Sequence, residues 1–121
     1  MMMAKPAMNK SRAYTGGCHC GAVKFAARIA LGQVISCNCS ICQKRGSLLT
    51  AIPAVDFRLL AGEDKLTKYQ FNTRTIHHLF CSACGIEPFA RAGDTVMVNM
   101  RCMDGVEPGE LSIMQFDGRA V

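Results

Sequence analysis

Gly17-Cys18-His19-Cys20-Gly21, near the start of the chain, and Phe80-Cys81-Ser82-Ala83-Cys84-Gly85, well beyond its middle, decide the fold. In a C-x-x-C-G turn both sulfurs can face one ion at about 2.3 Å, and the glycine permits the tight backbone. In a C-x-C on a strand, residues i and i+2 lie on one face and can also share a metal. The two motifs together supply the four thiolates of a closed, tetrahedral structural zinc site. The sequence therefore predicts one zinc ion with the ligands Cys18, Cys20, Cys81 and Cys84.

The size of the chain explains why such a site matters. At 121 residues, a domain buries roughly two-thirds of the surface that its unfolded chain exposes, so the core alone leaves little margin. A structural zinc can contribute on the order of 10 kcal/mol or more to folding, which exceeds that margin. We therefore expect loss of Cys81 or Cys84 to give unfolded or insoluble protein.

A third group of cysteines lies between the first two, at Cys37-Asn38-Cys39-Ser40-Ile41-Cys42. Its three thiolates are one short of a closed tetrahedral set. A zinc ion with three protein ligands keeps one position open for water or substrate, which is typical of catalytic zinc. The alternative is a closed site, for which the possible fourth ligands are Cys102, His19, His77 and His78.

Each candidate for a fourth ligand has a simpler interpretation. His19 stands between two ligands of the first site, so its side chain should point away from that metal. His77 and His78 alternate on a predicted strand, so at most one of them faces inward. Cys102 follows an apolar strand and is interpreted first as a small buried hydrophobe. The three-cysteine site is therefore interpreted as open, with the closed site as the alternative.

Short β-type runs separated by turn signals fill most of the remaining sequence, and long helical periodicity is absent. Only Ser40–Arg45 looks helical, for one or two turns. The predicted strands are Ala22–Ile29, Gln33–Cys37, Leu48–Val55, Phe57–Leu60, Leu66–Phe71, Thr75–Phe80, Pro88–Arg91, Thr95–Met100 and Leu111–Phe116. We expect an all-β domain, built from two small sheets.

The sequence offers no membrane span and no secretory signal. The longest uncharged stretch, Ile29–Gln43, contains several polar residues and is too short to cross a bilayer. Met1–Arg12 lacks the apolar segment of a signal peptide. We interpret residues 1–14 as a flexible extension and residues 15–121 as a single domain. A cytoplasmic location follows, where paired cysteines are more often metal ligands or catalysts than disulfides.

The formal charge of +5 does not by itself predict nucleic-acid binding. The basic residues are scattered, and Lys44-Arg45 is the only adjacent pair, so no basic stripe forms. Zinc ions held by four and by three thiolates contribute −2 and −1, which brings the net charge to about +2. Nucleic acid is therefore not the expected partner.

The order of these motifs resembles that of the glutathione-dependent formaldehyde-activating enzyme family, which also includes centromere protein V. The resemblance rests on G-G-C-H-C-G-A-V-K-F, C-x-C-x-x-C-x-K, F-C-S-A-C-G and V-N-x-R-C-x-D-G, from about Gly16 to Leu111. It implies a β-tent of antiparallel sheets stapled by zinc. It also implies that Cys18, Cys20, Cys81 and Cys84 are structural zinc ligands. Three others would hold a catalytic zinc: Cys37, Cys39 and Cys42.

The family's founding reaction joins glutathione to formaldehyde, giving S-hydroxymethylglutathione, and its reversal is carbon–sulfur lyase chemistry. By resemblance, the chain is a zinc-dependent enzyme that acts on a small thiol, with two zinc ions and glutathione as cosubstrate. Zinc favours the thiolate form of a bound thiol, which is the nucleophile toward an aldehyde. The two carboxylates of glutathione need cationic partners, for which Lys44 and Arg45 are the first candidates and Arg101 the next.

Two features of the sequence depart from the family's pattern and bear on the substrate. Asn38 stands where the middle motif commonly has His, and Ile86-Glu87-Pro88 follows the C-x-x-C-G turn where a small Ser or Thr is common. No general base is evident, because the acidic residues in turns or at strand edges are interpreted as solvated: Asp56, Glu63, Asp64 and Glu87.

Two other classes of function remain as alternatives. In the first, the chain is a binding module whose zinc ions only hold the fold. In the second, it is a thiol redox enzyme that uses Cys102. A protein fourth ligand at the three-cysteine site would favour the binding module, whereas loss of activity in Cys102→Ser with zinc intact would favour the redox enzyme.

Overall fold

The computed structural model describes residues 11–70, 76–107, 109 and 111–117. Within them lie ten strands and one α-helix, α1, at Ser40–Arg45. The strands are β1 (Ser11–Gly17), β2 (Lys24–Ala30), β3 (Gln33–Cys37), β4 (Leu49–Pro53), β5 (Phe57–Ala61), β6 (Leu66–Tyr69), β7 (His77–Cys81), β8 (Phe89–Ala92), β9 (Thr95–Asn99) and β10 (Ser112–Phe116). They form a three-stranded sheet, β1-β2-β5, and a seven-stranded sheet, β10-β3-β4-β9-β8-β7-β6. The predicted all-β class, with two sheets and a short helix, is confirmed.

The hydrophobic core lies between the two sheets. In β2, the alternation of apolar residues places Phe25, Ala27 and Ile29 on one buried face of the small sheet. Phe25 stacks on Phe57 of β5, with 5.4 Å between the ring centroids, and meets Phe89 of β8 in an edge contact at 6.5 Å. Because β8 belongs to the large sheet, these three rings join the sheets across the core.

The small sheet also contacts the segment that follows β9 of the large sheet, through the backbone of Gly16. This residue of β1 forms an isolated antiparallel bridge with Met103. A Cβ atom at Gly16 would lie 2.5 Å from the carbonyl oxygen of Cys102 and 2.6 Å from the ring of Phe25. Only glycine fits this approach, which brings β1 against the 3₁₀ turn Met100–Cys102 that follows β9.

The segment that contains the middle cysteines lies at one edge of the large sheet. Strand β3 ends at Cys37, and α1 begins three residues later. Strand β10 pairs with β3 in parallel, whereas the family resemblance implied antiparallel sheets. A parallel partner requires a long connection, which local sequence patterns do not reveal. In the described part of the chain, no helix has the length and apolar character needed to cross a bilayer.

The boundary predicted for the N-terminal extension is wrong by four residues. Residues 11–14 form the first half of β1, where Ser11 pairs with Ala30 and Tyr14 with Ala27. This half of the strand is largely exposed, so it lacks the apolar alternation that marks a strand in sequence. Residues 1–10 of the expected extension, and the ends of two predicted strands at Phe71 and Thr75, lie outside the described residues.

Candidate metal centres and adjoining cleft

The first cysteine cluster joins the end of the small sheet to a turn of the large one. Cys18 directly follows β1, Cys81 is the last residue of β7, and Cys84 lies in the turn after it. The four sulfurs of the predicted set all lie within 4.8 Å of one another. The Sγ atoms of Cys18 and Cys20 are 3.6 Å apart, and those of Cys20 and Cys81 are 3.7 Å apart. Tetrahedral zinc with bonds of about 2.3 Å requires sulfurs about 3.8 Å apart, so this donor set fits the ion.

Local backbone geometry explains why the C-x-x-C-G turn can gather its sulfurs. Gly85 has a φ of 83°, in the left-handed region that favours glycine, and its N–H donates to the carbonyl of Cys81 at 2.7 Å. On the other side of the cluster, the N–H of Val23 donates to the Cys18 sulfur at 3.3 Å. Backbone N–H groups of Ile86 and Cys20 lower the pKa of the Cys84 thiol to about 6. Such donors stabilise thiolates and are typical of cysteine metal sites.

The second cluster is built within a single local turn. Cys37 ends β3, Cys39 is the residue before α1, and Cys42 lies in the helix; their sulfurs also lie within 4.8 Å of one another. The N–H of Cys39 donates to the Cys37 sulfur at 3.4 Å, and the N–H of Cys42 donates to the Cys39 sulfur at 3.5 Å. Burial raises the pKa of the Cys42 thiol well above its usual value. Three thiols converge here, and metal chemistry of the zinc type suits them.

The four residues considered as a fourth ligand occupy other positions. His19 is exposed between two members of the first cluster. The buried His78 and the half-buried His77 are on β7, and the Nδ1–H of His78 donates to Glu87 at 2.8 Å. The Cys102 sulfur faces the carbonyl of Glu87 at 3.9 Å. Among the described residues, no fourth His, Cys, Asp or Glu side chain joins the three cysteines of the second cluster.

Cys102 is poorly suited to be a nucleophile. Burial raises the pKa of its thiol to about 12, and the neighbouring charges of Cys18, Cys84 and Glu87 act in the same direction. A thiol with this pKa is protonated near neutral pH, whereas nucleophilic cysteines need the thiolate. The interpretation of Cys102 as a buried apolar residue agrees better with this environment than the redox alternative does.

A cleft of about 400 Å³ opens beside the second cluster. Two of the three cysteines, Cys37 and Cys42, contribute to its wall. Polar side chains and one cation surround them: Ser36, Asn38, Gln43, Gln115 and Arg101. The cleft therefore combines two cluster cysteines with hydrogen-bonding groups and one positive charge, as a polar thiol substrate would require.

Strand β10 supplies part of this wall. Gln115 of β10 lines the cleft, and the N–H of Asn38 donates to the carbonyl of Phe116 at 3.1 Å. The side chain of Asn38 also donates to Asp117, with 3.1 Å between Nδ2 and Oδ1. Asn38, the residue that departs from the family's usual His, thus joins the cysteine turn to β10. No local sequence pattern indicates Gln115 as a cleft residue, because its position depends on the parallel pairing of β10 with β3.

The three cations proposed for substrate binding occupy different environments. Arg101 lines the cleft, and its Nε donates to the carbonyl of Gly46, which ends α1, at 3.0 Å. Arg45 instead pairs with Glu87, with 2.8 Å between Nη1 and Oε1, and its guanidinium lies 5.3 Å from the ring centroid of Phe80. Lys44 is exposed on α1. Of the three, Arg101 is the one that lines the cleft.

The interpretation of Glu87 as a solvated turn residue is wrong. It is 7% exposed, and its carboxylate accepts hydrogen bonds from both Arg45 and His78. The apolar neighbours Ile86, Pro88 and Phe89 are the sequence signal that this segment, with Glu87, is buried. No local pattern indicates its partners, because Arg45 lies 42 residues earlier in the chain.

Comparison with known proteins agrees with this geometry. A family model described as glutathione-dependent formaldehyde-activating enzyme matches residues 13–114. The chain belongs to the glutathione-dependent formaldehyde-activating enzyme family. The match includes both cysteine clusters and Arg101, and it confirms the resemblance inferred from the motifs. This is a family of enzymes, and its name associates them with glutathione and formaldehyde.

A solved structure supports the same relationship. A crystal structure of a protein from Rhodobacter sphaeroides matches this chain with a TM-score of 0.75 and 33% sequence identity. The match covers 83% of this chain and 99% of that one. The two proteins therefore share most of their fold.

Proposed function

We propose that this protein is a zinc-dependent enzyme of the carbon–sulfur lyase type that interconverts glutathione plus formaldehyde and S-hydroxymethylglutathione. In the forward direction, a bond forms between the thiol sulfur and the aldehyde carbon, and the thiol proton ends on the former carbonyl oxygen. The observation that carries the proposal is the three-cysteine cluster at the wall of a polar cleft that also contains Arg101.

The two clusters have different roles in this proposal. Cys18, Cys20, Cys81 and Cys84 hold a structural zinc, because four thiolates complete its coordination. Three cysteines hold a second, catalytic zinc: Cys37, Cys39 and Cys42. When bound there, zinc supplies an open coordination position that favours the thiolate form of the substrate.

Protein groups around the cleft account for substrate binding. The guanidinium of Arg101 is held by its Nε bond to Gly46 and presents its positive charge to a substrate carboxylate. Asn38 and Gln115 supply amide groups that suit the peptide-like body of glutathione. Lys44 and Arg45 lie outside this arrangement in our proposal, since Arg45 is occupied by Glu87.

A cytoplasmic location is part of the same proposal. Seven of the eight cysteines lie in the two clusters, where they can serve as metal ligands. A reducing compartment keeps such thiols available for metal, whereas an oxidising one favours disulfides. Glutathione as the thiol substrate is consistent with that environment.

The test is a zinc measurement combined with a glutathione titration, in the wild type and in Cys102→Ser. We expect two zinc ions per chain in both proteins, formation of S-hydroxymethylglutathione above the spontaneous rate, and glutathione perturbing only the second metal. In Cys102→Ser, a loss of activity with both zinc ions retained would instead support the redox enzyme. A second zinc that disappears with Cys102 and is indifferent to glutathione would indicate a closed site and a binding module.

A further inference from the structure

A buried acid links the segments that contain the two cysteine clusters. Glu87 lies three residues after Cys84, in the connection from β7 to β8, and its side chain is 6% exposed. Oε1 accepts from Nη1 of Arg45 at 2.8 Å, and Oε2 accepts from Nδ1 of His78 at 2.8 Å. A carboxylate buried to this degree is tolerated because both of its oxygens have such partners.

Through Arg45, this acid reaches the helix of the second cluster. Arg45 is the last residue of α1, one helical turn after Cys42. Its guanidinium also lies over the ring of Phe80, the residue before Cys81. The end of α1 is therefore attached to the strand and turn that carry the first cluster, by an ion pair and a cation–π contact.

The backbone of the same acid is linked through Asn99 to Arg101, which lines the cleft. The carbonyl of Glu87 accepts from the side chain of Asn99 at 2.9 Å, and Oδ1 of Asn99 accepts from the N–H of Arg101 at 3.1 Å. Arg101 then donates to the carbonyl of Gly46 at the end of α1. The contacts thus form a closed ring behind the cleft, from Glu87 through Arg45 and α1 to Arg101 and back.

We propose that Glu87 is a positioning residue that, by holding Arg45, fixes α1 so that the second cluster keeps its metal-binding geometry. It acts through Arg45, whose attachment sets the orientation of the helix that contains Cys42. The inference rests on the proposed function in one respect, that the second cluster holds a metal. It adds that retention of this metal depends on a residue in the turn of the first cluster.

A purely structural role for Glu87 would have a different signature. Loss of a buried ion pair that only stabilised the fold would lower the melting temperature and accelerate metal release from both clusters. A positioning role predicts a selective effect, because α1 contains a ligand of the second cluster alone. Groups that orient metal ligands typically change metal affinity by roughly 10–100-fold.

The experiment follows zinc release from the full chain to a colour-forming chelator, with Cys39→Ser used to assign the phase of the second cluster. In Glu87→Gln, we expect release from the second cluster to become at least about tenfold faster, while release from the first cluster changes less than about twofold. Glu63→Gln is the matched control, since it removes the same charge from an exposed position. It should release both ions at the wild-type rates.

Arg45→Gln tests the same link from the partly exposed side and keeps the inference testable if Glu87→Gln does not fold. It should accelerate the same phase, Arg45→Lys should restore part of the wild-type rate, and the double variant should be no faster than the single ones. Equal acceleration of both phases, or a wild-type rate at the second cluster, would overturn the inference. Absence of a second zinc phase in the wild type would overturn the inference and the proposed function together. A wild type that holds both ions but forms no S-hydroxymethylglutathione above the spontaneous rate would overturn the proposed function alone.

Discussion

The two cysteine clusters differ in how far along the chain their ligands lie. The first joins residues 18–20 to residues 81–84, so its metal closes a loop of about half the chain. The second lies within residues 37–42, where one strand end and one helical turn supply all three thiols. A metal at the first cluster therefore stabilises the tertiary fold, whereas a metal at the second orders a local segment and faces a cleft. In our proposal, this difference in spacing is what gives similar ligands a structural role in one cluster and a chemical role in the other.

The largest loss of stability is expected when a ligand is removed from the first cluster. Cys81 is fully buried at the end of β7, and Cys81→Ser should remove on the order of 10 kcal/mol of metal-linked folding free energy. This loss is comparable to the whole stability of a typical domain, so we expect insoluble or unfolded protein. Circular dichroism of the soluble fraction would check it, and a cooperative, native-like unfolding transition would contradict the structural assignment.

Removing a ligand from the second cluster should separate activity from folding. Cys39→Ser should leave a folded protein with one zinc per chain, because α1 stays attached to the fold through the Arg45–Glu87 ion pair and the bond from Arg101 to Gly46. Formation of S-hydroxymethylglutathione should fall by at least roughly 100-fold, more than for a change in a supporting residue. Zinc content and melting temperature should be measured on the same preparation. If Cys39→Ser unfolds, the division between the two clusters is wrong.

A smaller effect is expected from the cation of the cleft. Arg101→Gln should raise KM for glutathione by roughly tenfold or more, the value of a hydrogen bond to a charged group, with a smaller change in kcat. Arg91→Gln, on β8 and beside Phe57, is the matched control and should leave KM unchanged. Steady-state kinetics with glutathione, and with a thiol that lacks carboxylates, would sharpen the assignment. Equal loss for both thiols would argue that Arg101 binds no carboxylate.

Much of the fold followed from local patterns in the sequence. The glycine turn signals before Ala22 predicted the strand that contains β2, and the spacing of the cysteines indicated both clusters, because each pattern reports on a short segment. The features that were missed depend on distant partners. The first half of β1 is exposed and lacks alternation, while the pairing of Glu87 with Arg45 joins residues with no shared motif.

The parallel pairing of β10 with β3 has a consequence for the order in which the protein matures during synthesis. The ribosome completes the three-thiol set of residues 37–42 before it completes the first cluster, because Cys18 and Cys20 have no full set of partners until Cys84 emerges, 42 residues after Cys42. Strand β10, with Gln115, emerges later still. A nascent chain thus has a local metal-binding turn before it can close its fold. It acquires the last wall of the cleft only after both sets of thiols have emerged.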